Sequence, residues 1–323
     1  MMNRLFESSL LNHVAASSLR FDYTPLLTAK AQPEQKDLVV KDEKRSREIP
    51  IRVYLPTGQA TAPVVVFSHG LGGNREGSAF LGKHWAARGY VAVFLQHPGS
   101  DDCVWKDKSL AQRRALLKQA ATLENLLLRA QDIPAVLDQL EVWNMETAHA
   151  FAGRLDQKRI GMSGHSFGAA TTQAVSGQTF PMGQHAGDLR IKAAVVMSPT
   201  RPLTGDTQQA FGAVKIPWLL LTGTKDTTIF NRTDAKSRLV VFPALPSGRK
   251  YELVLNKAKH SVFTERALPG ETASRNPNHH RAILAVTTAF WDAYLRDDAE
   301  ARKWLDGETV RSVLEKDDQW QKK

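Results

Sequence analysis

Residues 159–175 leave this chain few ways to fold. Arg159-Ile160-Gly161-Met162-Ser163 reads as a strand and feeds directly into Gly164-His165-Ser166-Phe167-Gly168, after which Phe167–Val175 reads as a small-residue helix. A Gly-x-Ser-x-Gly pentapeptide between a strand and a helix is the signature of a nucleophile elbow, a strained turn that lifts a serine hydroxyl above a sheet. Glycine is needed on both sides because a side chain there would collide with neighbouring backbone. The pentapeptide alone is weak, since composition produces it in roughly one chain in ten of this length. Its surroundings decide.

Those surroundings alternate between strand and helix. Asp37–Val40 and Ile49–Leu55 alternate in the manner of paired edge strands. Val64-Val65-Val66-Phe67 is a continuous apolar run, as expected of a strand buried on both faces, and it opens into the glycine-rich Ser68-His69-Gly70-Leu71-Gly72-Gly73. Ala79–Arg88 reads as a helix closed by Gly89, and Tyr90–Leu95 as the next buried strand. Leu116, Ala120, Leu123 and Leu127 keep helical spacing, and a second helix is expected to start at Pro134 and carry Val136, Leu137 and Leu140. Further strands are expected at Ile191–Met197, Trp218–Thr222 and Tyr251–Leu255, and a closing amphipathic helix through Ile283, Thr287, Phe290 and Tyr294. This order predicts an α/β fold with a mostly parallel central sheet and helices on both faces. Residues 1–35 read as a loosely structured N-terminal arm, and 36–323 as a single domain.

The 323 residues suffice for one large core, and 42% apolar with 24% charged residues is ordinary for a globular chain. A formal charge of +10 implies attraction to anionic partners. The lysines and arginines are scattered and do not interleave with aromatics, so no nucleic-acid platform is expected. Cys103 is the only cysteine, which rules out an internal disulfide. No apolar run reaches transmembrane length, and Glu7, Asn12 and His13 interrupt any leader core. The chain reads as cytoplasmic, with a trimmed exported form as the alternative. Nothing in the sequence signals an oligomeric state.

A serine hydroxyl needs a positioned base to act as a nucleophile. In sheets of this kind an acid and a histidine follow the serine in chain order, each on a loop leaving a later strand. Gly223-Thr224-Lys225-Asp226 leaves the strand at 218–222, and Asn256-Lys257-Ala258-Lys259-His260 leaves the strand at 251–255. Ser166, Asp226 and His260 are therefore the candidate catalytic residues. The oxyanion donors are expected to be the amide of Phe167, directly after the serine, and that of Leu71, in the loop where Gly70 lets the backbone approach closely.

The other histidines read differently. His69 shapes the glycine loop, and His165 occupies the variable elbow position and points away from the nucleophile's task. His97, leaving a strand ahead of Pro98-Gly99, is expected to line the pocket. His279-His280 start a helix with no Glu or Cys at metal-ligand spacing, so no metal and no cofactor is called for. The leucines of residues 106–128 read as core packing. The alternative is that Trp105 and this basic segment touch a membrane or lipid surface.

Together these residues resemble the α/β-hydrolase superfamily over about residues 36–300. Phe67-Ser68-His69-Gly70-Leu71-Gly72 and Gly164-His165-Ser166-Phe167-Gly168 resemble, more narrowly, the platelet-activating-factor acetylhydrolase and predicted dienelactone-hydrolase group, with bacterial polyester hydrolases as neighbours. The resemblance implies a Ser166–His260–Asp226 triad with Leu71 and Phe167 as oxyanion amides. It also implies a small-molecule carboxylic ester as substrate, with short acyl chains favoured and phospholipid or polyester as alternatives. A noncatalytic ligand-binding relative is the alternative from another class. True dienelactone hydrolases carry cysteine in the elbow, where this chain has Ser166, so a thiol mechanism is not expected.

Overall fold

The structure, a computed structural model, describes residues 23–202, 205–228, 234–265 and 275–323. Nine strands form one sheet in the order β1-β2-β4-β3-β5-β6-β7-β8-β9. They are β1 (Glu34–Asp42), β2 (Arg47–Leu55), β3 (Ala62–Ser68), β4 (Val91–Leu95), β5 (Leu155–His165), β6 (Ile191–Met197), β7 (Trp218–Lys225), β8 (Lys250–Lys259) and β9 (Gln319–Lys322). The run from β4 through β3 to β8 is parallel, while β1, β2 and β9 pair antiparallel at the two edges. The expected α/β-hydrolase architecture is therefore the observed one.

Alternate residues of each central strand feed opposite layers, because side chains of a strand point to opposite faces. Val65 and Phe67 join Ala92, Phe94, Val195 and Leu219 under α1 (Ala79–Ala87), α8 (Pro277–Leu295) and α9 (Ala299–Asp306). Val64 and Val66 join Val91, Val93, Ile160 and Met162 under α3 (Leu123–Met145) and the buried end of α4 (Phe167–Val175). Short helices α5 (Thr207–Phe211), α6 (Ala235–Arg238) and α7 (Val241–Ala244) follow β6 and β7, and Phe211, Val241 and Phe242 cover Val196 and Leu220. Each fully buried Val, Leu or Phe contributes roughly 1.5–3 kcal/mol, so a doubly covered sheet anchors the loops at its edge firmly.

Three expectations change. The helix break lies at Ala121-Thr122, between α2 (Leu110–Ala120) and α3, and not at Pro134. Thr122 caps α3 by accepting the Asn125 N–H at 3.1 Å, and α3 runs through Pro134 for 23 residues. An interior proline costs about 3 kcal/mol, which the burial of Ile133, Val136, Leu137 and Leu140 outweighs. Next, the leucines of 106–128 are largely not core: Leu110 is 78% exposed, and Leu123 and Leu127 are also exposed. Finally, the described end of the N-terminal arm is fastened. Tyr23 donates to Asp292 at 2.6 Å, and Ala29 N–H to the Ala87 carbonyl at 2.9 Å. The rest of that arm, residues 1–22, lies outside the described residues. Among the described residues no helix is long and apolar enough to cross a membrane.

Candidate active site

The elbow begins where β5 ends. Ser166 has φ 59° and ψ −112°, a left-handed conformation that L-residues adopt only under restraint, and it stands at the N-cap of α4. The flanking glycines are a steric necessity: a Cβ on Gly164 would lie 2.2 Å from the Gly168 carbonyl oxygen, and one on Gly168 would lie 1.9 Å from that of Ser68. The turn is held from outside by the Ser166 N–H, which donates to the Met197 carbonyl on β6 at 2.9 Å.

Parallel strands then deliver the partners. Asp226 follows β7, and His260 follows β8, one strand further out. His260 Nδ1–H donates to Asp226 Oδ1 at 2.6 Å, which leaves Nε2 to accept the Ser166 hydroxyl at 2.9 Å. Asp226 is fully buried and held by groups that sequence order did not single out. Ser198 and Thr222 donate their hydroxyls to its Oδ2 at 2.6 and 2.9 Å, and the Arg238 guanidinium lies 2.9 Å from Oδ1. Burial pushes its pKa up. The hydrogen bonds from His260 and Ser198 and the Arg238 charge outweigh that and hold it well below the usual carboxylate range. Ser198, like Ser166, carries a positive φ (62°).

The glycine loop sits beside the elbow, with Gly70 Cα close enough that an added Cβ would be 3.4 Å from that of Ser166. Most of its polar groups are committed. Gly72 N–H donates to the Ser100 carbonyl, Trp105 Nε1–H to the Gly72 carbonyl, and both Gly73 N–H and His69 Nδ1–H to the Gly70 carbonyl. The Leu71 N–H has no acceptor among the described residues. Phe167 is the first residue of α4, where helical amides lack an intrahelical acceptor. Neither expected oxyanion amide is therefore committed to a backbone acceptor among the described residues.

These groups open onto a cleft of about 1220 Å³. Its walls include Leu71, Trp105, Leu117, Phe167 and Phe180, and α2 forms one side. Arg113, Arg114, Arg201, Lys225 and Lys259 also line it, and no Asp or Glu does among the described residues.

Other histidines depart from expectation. His97 does not line the cleft: it is fully buried beneath the glycine loop, where Nδ1–H donates to Asp132 and Nε2 accepts the Ser68 hydroxyl, each at 2.9 Å. Burial, aided by the charge of Arg129, pulls its pKa down to about 4, so the ring is neutral. His165 does not point away. It lines the cleft and packs on the His260 ring at 4.6 Å between centroids and on Phe263 at 5.3 Å. His69 does shape the glycine loop, with Nε2 accepting the His97 N–H at 3.0 Å.

The fold also brings Glu315 and Asp318 to His279, an acidic grouping that sequence spacing did not reveal. His279 Nε2 and both carboxylates are already hydrogen-bonded there. His279 Nε2 bonds the Asn256 carbonyl, Asp318 accepts from Asn256 and Glu315 amides, and Glu315 accepts from Asn276. The cluster clasps the end of β8 to the C-terminal segment.

Residues 117–274, just under half of the chain, match a family described as PET hydrolase-like. The matched segment contains Ser166, Asp226 and His260. No curated protein matches the chain. Taken with the sheet topology, the family match places the chain in the α/β-hydrolase superfamily as a carboxylic ester hydrolase of the serine type.

Proposed function

We propose that the protein hydrolyses carboxylic esters through an acyl-enzyme on Ser166, with His260 as the general base and acid and Asp226 as its partner. The observation that carries this reading is the unbroken hydrogen-bond chain from Ser166 through His260 to Asp226 at the floor of an open cleft. Ser166 Oγ attacks the ester carbonyl while His260 Nε2 takes its proton. The Leu71 and Phe167 amides receive the negative charge on the former carbonyl oxygen, and His260 returns the proton to the departing alcohol. Water, deprotonated by His260, then releases the acid. Asp226 fixes the tautomer and stabilises the imidazolium.

For substrate, the sequence favours a small ester with a short acyl chain, in keeping with the likeness to acetylhydrolases. A second reading, a phospholipid or polyester, is favoured by one specific observation. A cleft of about 1220 Å³ with apolar walls and, among the described residues, five basic side chains without an ion-pair partner and no lining carboxylate holds far more than an acetyl ester. The PET hydrolase-like family match points the same way. Rates over a p-nitrophenyl ester series, with and without anionic micelles, separate the two. A steep fall beyond short acyl chains without interfacial activation removes the second reading. Rates that hold for long chains and rise on micelles remove the first. Labelling by a fluorophosphonate tests the serine itself: wild type reacting no faster than Ser166→Ala overturns the mechanism. With the same residues an alcohol could replace water as acceptor, and product analysis in the presence of added alcohols detects that transfer.

A further inference from the structure

Arg129 of α3 is fully buried, yet no carboxylate forms an ion pair with it among the described residues. The nearest acid on its own helix, Asp132, is committed to Arg45, Arg47 and His97 at 3.0, 2.7 and 2.9 Å. Two of its three guanidinium nitrogens, Nε and Nη1, have no hydrogen-bond partner. Asp132 and the buried Asp101 attract it only from a distance, without an ion-pair contact, and an apolar or neutral side chain of similar shape is ordinarily the cheaper occupant of such a position. Burial draws its pKa down to about 9, which still leaves it charged at neutral pH.

Its contacts fall on Phe167 and on His69, in the loop that carries Leu71. Nη2 donates to the His69 carbonyl at 2.6 Å, two residues before Leu71. Its guanidinium carbon lies 4.7 Å from the centre of the Phe167 ring, in cation–π range. The ends of the loop are fastened from elsewhere, Ser68 by the His97 ring and Gly72 by the Ser100 carbonyl, whereas the His69 ring lies between the His97 N–H and Arg129 Nη2, 3.0 Å from each. A clamp alone would need only a neutral donor toward the His69 carbonyl.

We propose that Arg129 is the positioning residue of the oxyanion hole: it ties the His69–Leu71 loop to Phe167, and its charge favours the anionic tetrahedral intermediate from behind those amides. This rests on the serine-esterase reading above. Arg129 touches neither substrate nor reacting atoms. It acts through the two amides and through the field it sets up in a low-dielectric interior, where a nearby unit charge is poorly screened.

The test compares Arg129→Gln, which keeps an N–H donor and drops the charge, with Arg129→Lys, which keeps the charge and drops the planar fork. For each, kcat and KM on p-nitrophenyl acetate are measured beside inhibition by a phenylboronic acid, whose adduct with serine is a tetrahedral anion. Arg129→Gln is expected to lower kcat by roughly 10–100-fold with KM changed less than about threefold, below the roughly 10²–10³-fold that loss of a direct oxyanion donor costs, because Arg129 acts through the amides. It should weaken the boronate by a similar factor without lowering the melting temperature. Arg129→Lys is expected to retain most of both. Equal losses in the two variants, with boronate affinity unchanged, would mean a structural brace and overturn the proposal; so would no loss in either. Should Arg129→Gln fail to fold, Arg129→Lys decides, because loss of boronate affinity despite the retained charge contradicts the charge role. Fluorophosphonate labelling of the wild-type chain separates the two failures. If Ser166 is not labelled, the esterase reading falls; if it is labelled while Arg129→Gln keeps full kcat, only this inference falls.

Discussion

Two Ser–His–Asp arrays lie in this molecule, on neighbouring strands and with almost the same spacing. In one, Ser166 bonds His260 at 2.9 Å and His260 bonds Asp226 at 2.6 Å. In the other, Ser68 bonds His97 at 2.9 Å and His97 bonds Asp132 at 2.9 Å. Hydrogen-bond distances do not separate them. The second array is sealed, with all three residues at 0% exposure, and Ser68 sits in regular β3, paired with strands on both sides. Ser166 instead occupies a strained turn at a helix start and lines the cleft. A chain of donors and acceptors is what any buried polar group must find. Access, strain and uncommitted amides beside the hydroxyl are what distinguish a reactive serine from a satisfied one.

The largest separation is expected from the serines. Ser166→Ala should reduce ester hydrolysis by on the order of 10⁵-fold or more and abolish fluorophosphonate labelling, since removal of a nucleophile leaves only residual catalysis. Ser68→Ala should keep labelling and nearly all activity. Its effect is on stability, on the order of 1–3 kcal/mol, because His97 Nε2 loses its donor in a dry site. Comparable activity losses in the two variants would show that the sealed array takes part in the chemistry after all.

The acids sharpen the contrast. Asp226→Asn is expected to lower kcat by on the order of 10³–10⁴-fold, through the wrong imidazole tautomer, with the fold retained. Asp132→Asn should act the other way round. It strands Arg47 beside a neutral group and leaves Arg45 with Asp42 alone, and breaking a buried charge cluster costs about 3–5 kcal/mol. Its kcat, measured where the protein is still folded, should fall far less. Thermal denaturation and single-turnover kinetics on the two variants read both quantities.

What could be read from the sequence follows from the same difference. Ser166, Asp226 and His260 were legible because each directly follows an apolar β-run, and parallel strands bring such positions to one edge. His97 follows a strand too, which suggested a place in the cleft. Its fate is decided by Asp132, a residue 35 positions later on α3 that draws the ring inward. Arg129 meets His69 across 60 positions, and Ser198 meets Asp226 across 28, so no local pattern announces either. The leucines of α2 have core-like spacing, but Leu110 and Leu117 line the cleft instead of the core. Pro134 looked like a boundary because local propensity argues for one, and tertiary burial overrode it.

Acid titration distinguishes the arrays further. The folded-state pKa of His97 is depressed to about 4 by burial and by the charges of Arg129 and Arg47, which outweigh the opposing pull of Asp132, against 6.5 in the unfolded chain. A depressed histidine contributes stability that is fully present above pH 6.5 and is lost as pH falls toward 4, up to about 3 kcal/mol. His97→Gln removes that proton uptake. Wild type should therefore lose stability between pH 6.5 and 4 more steeply than the variant, as read from urea midpoints at a series of pH values. Parallel curves would mean that the ring is hydrated and titrates normally.

The smallest effect concerns the support of the working acid. Asp226 Oδ2 accepts two hydroxyls, from Ser198 at 2.6 Å and Thr222 at 2.9 Å, whereas every contact of Asp132 Oδ2 is with an ionic or imidazole donor. The two hydroxyls occupy Oδ2 and leave Oδ1 to His260 and the Arg238 guanidinium. Thr222→Val keeps the shape of the strand residue and removes one donor, worth on the order of 1 kcal/mol. The expected outcome is a drop in kcat of roughly fivefold, with KM and the melting temperature little changed, because Ser198 and Arg238 still hold the carboxylate. A loss as large as that of Asp226→Asn would place the weight of the acid's orientation on Thr222 rather than on the shared set. An unchanged kcat would assign it to Ser198 and Arg238 alone.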